Sequence, residues 1–367
     1  MKNLLVIVFI GVLYQTKVLA QYPKVDIPGS QVRKITSTIV NQEYDLHIIL
    51  PAGYTTSTKK YPVVYLMDSQ WDFPLVRSIY GQQYYDGFIP ELIIVGVTWG
   101  GTNPNPDSLR ARDYTPTNDG RMIQGGGADK FLSFMKDELF PFVDTNYKAD
   151  STNRNLMGCS LGGLITLYTL FTHTDMFSGY AAASPAIGWD NEVIYKYEKS
   201  FFERQLYAKK RFSQRLYMTV GGAERGVPGF EKWADLLASR NYNAQKVYIQ
   251  SKVLENTGHS GTKSETYSRG LQYIFEKPKL TLDAALMNKY VGFYQQAGGN
   301  KMEIKNEDGK LVLYFSLNNK YVLFAASETE FYATAEFLNI HFEFGVEKAV
   351  GFQLERYGGT QFIKKSN

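Results

Sequence analysis

Gly158-Cys159-Ser160-Leu161-Gly162 sets a serine two residues from a glycine on either side, the G-x-S-x-G pattern. Such a serine occupies a sharp strand-to-helix turn, where flanking side chains would strike the neighbouring elements. By itself the pattern is weak, and its surroundings strengthen it. Asn155-Leu156-Met157 reads as a short strand ahead of the serine. Leu161 opens an apolar helix that runs to Phe171 behind it. Ser160 is thereby expected at a helix N-terminus, where free N–H groups favour developing negative charge. The chemistry this implies is nucleophilic attack by the hydroxyl, with an ordinary tight turn as the competing reading.

A serine hydroxyl attacks only when a base removes its proton. The chain has four histidines. His47 precedes the serine on an early strand, His173 lies just beyond the helix after the serine, and His341 belongs to the C-terminal tail. His259, in Thr257-Gly258-His259-Ser260-Gly261, follows the last strand of the main segment and satisfies the order nucleophile, acid, histidine. The acid should follow the strand Leu216 to Val220, which makes Glu224 in Gly221-Gly222-Ala223-Glu224-Arg225 the leading candidate. Pairing with Arg225 is the alternative for that carboxylate, and Glu231 and Asp235 fit the exposed side of the next helix. Two backbone donors must hold the oxyanion. One is expected from Leu161, the other from Ser69 or Gln70 after the strand Val63 to Met67. Cys159 reads as a small buried residue under the turn.

These residues need a scaffold to hold them. Ile35 to Leu50 reads as two strands around Asn41-Gln42-Glu43. Val63 to Met67 and Leu92 to Val97 are apolar on both faces, as buried strands of a parallel sheet are. Ala128 to Val143 has helical periodicity. Tyr180 to Ala183, Leu216 to Val220 and Lys246 to Val253 add strands, and a last helix spans Thr262 to Phe275. Strands alternating with amphipathic helices predict an α/β fold, a mostly parallel sheet flanked by helices. After Pro278 the texture changes to short alternating segments at 301–305, 310–315, 321–324, 341–344 and 351–356, separated by turn residues. These predict a small antiparallel β domain, a barrel or a sandwich. The expected organisation is a leader at 1–20, an α/β domain at 21–278 and the β-rich domain at 279–367.

The leader rests on Lys2, the apolar run Leu4 to Leu13 and the small residue Ala20. The run is too short to span a bilayer, so a periplasmic or secreted protein without stable membrane insertion is expected. Removing Lys2 and Lys17 with the leader leaves 38 basic against 36 acidic residues, too balanced for nucleic acid to be the partner. Lys209-Lys210-Arg211 is the one basic cluster and fits a solvated helix face. A single cysteine excludes an internal disulfide, and with four histidines no metal-ligand spacing appears, so neither a metal nor another cofactor is expected.

Several segments resemble the Putative esterase family of α/β-hydrolases, which holds siderophore esterases, feruloyl and acetyl-xylan esterases and S-formylglutathione hydrolases. They are Tyr61 to Asp68, Arg110-Ala111-Arg112-Asp113-Tyr114-Thr115-Pro116, Gly125 to Asp129, Gly158 to Gly163, Ala183-Ser184-Pro185 with Trp189-Asp190, and Gly258-His259-Ser260. Together they span most of 30–277, and the Arg-x-Arg-Asp-Tyr-Thr-Pro segment is most similar to the siderophore branch. The resemblance implies carboxyl-ester hydrolysis through an acyl-enzyme, with Ser160 and His259 as nucleophile and base. It offers Arg110, Arg112 and Trp189 as substrate-cleft residues, with salt bridging inside the fold as the other reading for the arginines. The substrate is then a small-molecule or oligosaccharide ester. Export favours carbohydrate-linked acyl esters, and the resemblance favours a siderophore trilactone. Acyl transfer to a hydroxyl acceptor, and an idle hydrolase fold serving as a binding module, are the remaining readings.

Overall fold

The computed structural model describes residues 26–366 apart from 121–123, 208–212, 297, 300, 335 and 357–358. The leader at 1–20 and the Lys209-Lys210-Arg211 cluster lie outside the described residues.

The chain opens with β1 (Ser30–Ser37), β2 (Gln42–Ile49) and β3 (Tyr61–Leu66), followed by α1 (Ser69–Tyr85) and β4 (Ile93–Trp99). Helices α2 (Pro106–Tyr114), α3 (Ala128–Phe134) and α4 (Phe140–Asn146) lead into β5 (Ala149–Cys159) and α5 (Leu161–Thr172). Then come β6 (Gly179–Ala183), α6 (Ile194–Tyr207), β7 (Gln214–Gly221), α7 (Val227–Ser239), β8 (Val247–Leu254) and α8 (Thr262–Ile274). The eight strands form one sheet in the order β1-β2-β4-β3-β5-β6-β7-β8. Strand β2 is antiparallel to both of its neighbours, and from β4 to β8 every pairing is parallel.

Strand β3 shows why its run is apolar throughout. Val63 and Tyr65 enter the core on one face with Phe131 and Phe171, and Val64 and Leu66 enter the other with Val76 and Leu271. Alternation in a strand sends successive side chains to opposite faces, and both faces here are covered by helices.

Two elements differ from the sequence reading. Strand β5 begins at Ala149, six residues before the predicted Asn155, because Ser151 and Thr152 are exposed and carry no apolar signal. The helix predicted over 128–143 is broken by a π turn, Met135–Leu139, in which the Phe140 N–H reaches the Met135 carbonyl. Pro141 follows at once, and the wider turn precedes a residue that has no N–H to give.

Beyond α9 (Ala284–Met287) the chain forms an eight-stranded closed barrel: β9 (Gly292–Gln296), β10 (Lys301–Glu307), β11 (Lys310–Ser316), β12 (Asn319–Ala325), β13 (Glu330–Ala333), β14 (Leu338–Phe344), β15 (Ala349–Arg356) and β16 (Gly359–Lys365). Closure comes from antiparallel pairing of β16 with β9, Lys365 opposite Tyr294. Tyr294, Ile304, Leu313, Phe342, Phe352 and Ile363 belong to its packed interior, as eight strands allow. The barrel meets the α/β unit where the Phe337 N–H donates to the Tyr85 carbonyl and the Tyr84 and Phe337 rings lie 4.9 Å apart. Among the described residues, no helix is long and apolar enough to cross a membrane.

Candidate active site

Ser160 stands between β5 and α5 with φ 62° and ψ −116°, a backbone shape rare for any residue with a side chain. Its N–H donates to the Ala183 carbonyl at 2.9 Å, and its own carbonyl accepts from Leu164 and Ala186. Strain at this turn is therefore held by β6 on one side and by α5 on the other. Gly158 is required here, because a Cβ at that position would lie 2.4 Å from the Gly162 carbonyl oxygen. Cys159 beside it is buried, which pushes its thiol up to about 12 and leaves it protonated and inert.

Leu161 is the first residue of α5, and Ser69 and Gln70 are the first two of α1. Helix geometry leaves such N–H groups without an intrahelical acceptor. The two helix starts are neighbours, since a Cβ on Gly162 would come within 3.1 Å of an Asp68 carboxylate oxygen. Asp68 turns the chain into α1 in the left-handed conformation, φ 54°. The Ser69 hydroxyl is occupied elsewhere, 2.8 Å from His47 Nδ1. Gln70 differs: both polar atoms of its side-chain amide are buried without a hydrogen-bond partner. An unmet buried amide is costly and marks a place where a ligand atom would be welcome.

His259 begins a short 3₁₀ turn just ahead of α8. Its Nδ1 lies 2.6 Å from Glu224 Oε2. The other oxygen, Glu224 Oε1, accepts from the Ser184 hydroxyl at 2.6 Å and from the Gly221 N–H at 2.8 Å. Burial raises the Glu224 pKa, but the bonds from Ser184, His259 and Gly221 outweigh it and hold the carboxyl below its ordinary range. With Nδ1 donating to this carboxylate, Nε2 carries the lone pair that can take a proton. The imidazole is half-exposed at the surface. Among the described residues no hydrogen bond joins Ser160 to His259.

The acid and histidine loops are built as a pair. Gly222 donates to Leu254 O and Ala223 to Thr257 O, at the C-terminal ends of β7 and β8. Thr262 Oγ1 closes the ring, 2.7 Å from the His259 carbonyl and 2.9 Å from Ser184 Oγ. Beneath them, buried Asp72 on α1 accepts from Lys263 Nζ and from the Tyr267 hydroxyl, each at 2.6 Å. The start of α1 and the start of α8 are thus tied by an ion pair.

The remaining predicted residues fall differently. Arg110 grips Asp68 with two bonds, 3.0 and 2.7 Å, and its guanidinium sits 5.7 Å from the half-exposed Trp71 ring. Arg112 grips Asp113 at 2.6 and 3.0 Å, and Asp113 also accepts from Tyr44 and Trp99. Neither arginine is unpaired, so the salt-bridge reading describes the contacts of both. Trp189 is buried and donates its indole N–H to the Thr117 carbonyl. His47, His173 and His341 are bonded to Ser69, Thr172 and Glu330, and Glu231 and Asp235 are exposed on α7. Sequence reasoning missed Ser184, Thr262 and the Asp72–Lys263 pair. Ser184 lies in a segment that carries the family resemblance, but nothing in its type marks it as a partner of Glu224.

Residues 37–270 match the model of the family described as Putative esterase. The chain is 30% identical over 245 residues to the ferri-bacillibactin esterase BesA of Bacillus subtilis, covering 63% of this chain and 80% of that one. It is 35% identical over 188 residues to a siderophore triacetylfusarinine C esterase of Aspergillus fumigatus, covering 50% of this chain and 63% of the relative. Among solved structures, the BES protein from Bacillus cereus superposes with a TM-score of 0.62 at 27% identity, covering 69% of this chain and 97% of its own.

Proposed function

From the premise that the chain belongs to the Putative esterase family and hydrolyses esters, we propose that it is an exported serine carboxylesterase working through Ser160, His259 and Glu224. The observation that carries this reading is the Glu224 carboxylate 2.6 Å from His259 Nδ1, on a loop stitched to the histidine loop.

In the proposed cycle, Ser160 Oγ attacks the ester carbonyl while His259 Nε2 takes its proton. Negative charge grows on the carbonyl oxygen, facing the N–H of Leu161 and that of Ser69 or Gln70. The intermediate collapses as His259 protonates the leaving alcohol, and the acyl group stays on Ser160. Water then repeats the sequence, with His259 as base, and frees the acid. Glu224 remains ionised throughout and steadies the imidazolium.

The substrate proposed is a siderophore ester, since the relatives above are named for siderophores. That reverses the preference export alone suggested, in which a carbohydrate-linked acyl ester came first. Export rests on residues 1–20. The test is hydrolysis of p-nitrophenyl acetate, methyl ferulate and a catecholate trilactone by the wild type and by Ser160→Ala. The variant should lose roughly 10⁴- to 10⁶-fold in kcat. Undiminished hydrolysis by Ser160→Ala would remove the serine from the mechanism. Faster turnover of methyl ferulate than of the trilactone would return the carbohydrate reading to first place.

A further inference from the structure

A cleft of about 580 Å³ opens between α8 and the barrel, and neither Ser160 nor His259 lines it. Its size falls within the range of small-molecule sites, and junctions between domains are where such sites concentrate. One wall is the outward face of α8, where Glu265, Arg269, Gln272 and Tyr273 recur at helical spacing. The other is made by Lys277 and Lys279 of the connecting segment with Tyr332 of β13, and Phe88 lines the cleft as well.

The charges in this cleft do not balance. Its two acids are already used: Glu265 pairs with Lys252 at 3.1 Å and Glu276 with Arg215 at 2.9 Å. Three cations have no carboxylate in ion-pair reach among the described residues. Arg269 bonds only the neutral Gln272 at 2.8 Å, Lys277 bonds the neutral Asn339 at 2.5 Å, and Lys279 lies 5.2 Å from the Phe324 ring. Lys277 is half-buried and also 4.9 Å from the Tyr332 ring. Burial pulls its pKa down by more than the nearby Glu355 and Glu330 carboxylates raise it. Phe88 is 38% exposed, a ring with surface left to cover.

We propose that this cleft binds a small aromatic anion, with Arg269, Lys277 and Lys279 taking the negative group and Phe88 and Tyr273 flanking the ring. An anion meets three cations that make no ion pair among the described residues, and a ring covers the exposed Phe88 face. A neutral ring leaves the charges unmet. An aliphatic anion leaves the aromatic wall bare. The site is separate from the ester chemistry and stands whether or not the triad assignment holds.

The test is titration of the full chain, and of its Ser160→Ala variant, with benzoate, benzamide and cyclohexanecarboxylate, followed by calorimetry and saturation-transfer NMR. Benzoate should bind both proteins alike, and the other two about fivefold or more weakly. Arg269→Gln combined with Lys279→Gln, both at exposed positions, should weaken benzoate about tenfold while leaving p-nitrophenyl acetate hydrolysis unchanged. Phe88→Ala should weaken benzoate and cost cyclohexanecarboxylate less. Benzoate binding that survives the double variant would place the ligand elsewhere, the catalytic centre included, and overturn the proposal. So would absence of binding at about 20 mM, well above the affinity suited to a fragment of this size.

Discussion

Ser184 Oγ lies 2.6 Å from Glu224 Oε1, so the serine holds one carboxylate oxygen while the other faces His259 Nδ1. The acid is oriented from β6, the strand beside the one that carries Ser160, rather than from its own loop alone. Ser184 has φ 38° and donates its N–H to the Thr219 carbonyl, so its side chain is aimed by backbone on both sides.

Removing that contact should act on rate and on pH dependence together. Ser184→Ala is expected to lower kcat about tenfold with little change in KM, the scale of one hydrogen bond to a charged group. The folded-state pKa of Glu224 lies below the ordinary 4.5, so its contribution to stability is full above 4.5 and lost as pH falls through the folded value. Ser184→Ala weakens that depression. The stability gap between wild type and variant should be present near pH 7 and shrink as pH is lowered below the ordinary 4.5 and through the folded value, read from urea midpoints along an acid series. A gap that persists unchanged in acid would assign Ser184 a packing role only.

Glu224→Gln should fold normally and lose about 10³- to 10⁴-fold in kcat, because an amide can favour the wrong imidazole tautomer. The pH–rate profile and a circular dichroism melt, run on the same preparation, check both halves. Near-wild-type turnover would send the acid role to another residue.

Gly221 tests the stitching of the two loops. A Cβ there would stand 2.3 Å from the Thr257 carbonyl oxygen, so Gly221→Ala must push the acid and histidine loops apart. The expected cost is about 1–3 kcal/mol of stability, with a fall in kcat beyond what partial unfolding explains. Gly188→Ala is the control, since no atom lies within 4 Å of its Cβ position. Comparable losses in the two variants would contradict the loop argument.

The Asp72–Lys263 pair should be costly to break. Asp72 is 2% exposed, and removing its cation leaves a buried carboxylate with only the Tyr267 hydroxyl. Lys263→Met is expected to lose about 3–5 kcal/mol in chemical denaturation. The exposed pair Lys232–Glu192, broken by Lys232→Met, should cost no more than about 1 kcal/mol. Equal midpoints for the two variants would show that burial does not govern these pairs.

Much of the fold was legible because its signals are local. Val63 to Met67 is apolar on both faces wherever it is read, and the turn around Ser160 announces itself through glycine spacing and an apolar helix behind it. The strands of the barrel were harder. β13 is four residues long and β9 begins at a glycine, so neither repeats its pattern often enough to stand out. Whether those segments made a barrel or a sandwich depended on β16 meeting β9, with Lys365 opposite Tyr294 far along the chain, and closure has no local signature.

For the site, sequence determined the residue types and their order along the chain: a serine at a strand-to-helix turn, an acid after one strand, a histidine after the next. Tertiary structure alone decided which groups touch. It set Glu224 against His259 because β7 and β8 are parallel neighbours whose C-terminal loops leave the same edge of the sheet. It sent Arg110 and Arg112 into ion pairs with Asp68 and Asp113, and it brought Ser184 to the acid and Lys263 to Asp72. A polar side chain takes whichever partner burial forces on it, and that partner is chosen by which strands lie side by side, not by which residues are close in sequence.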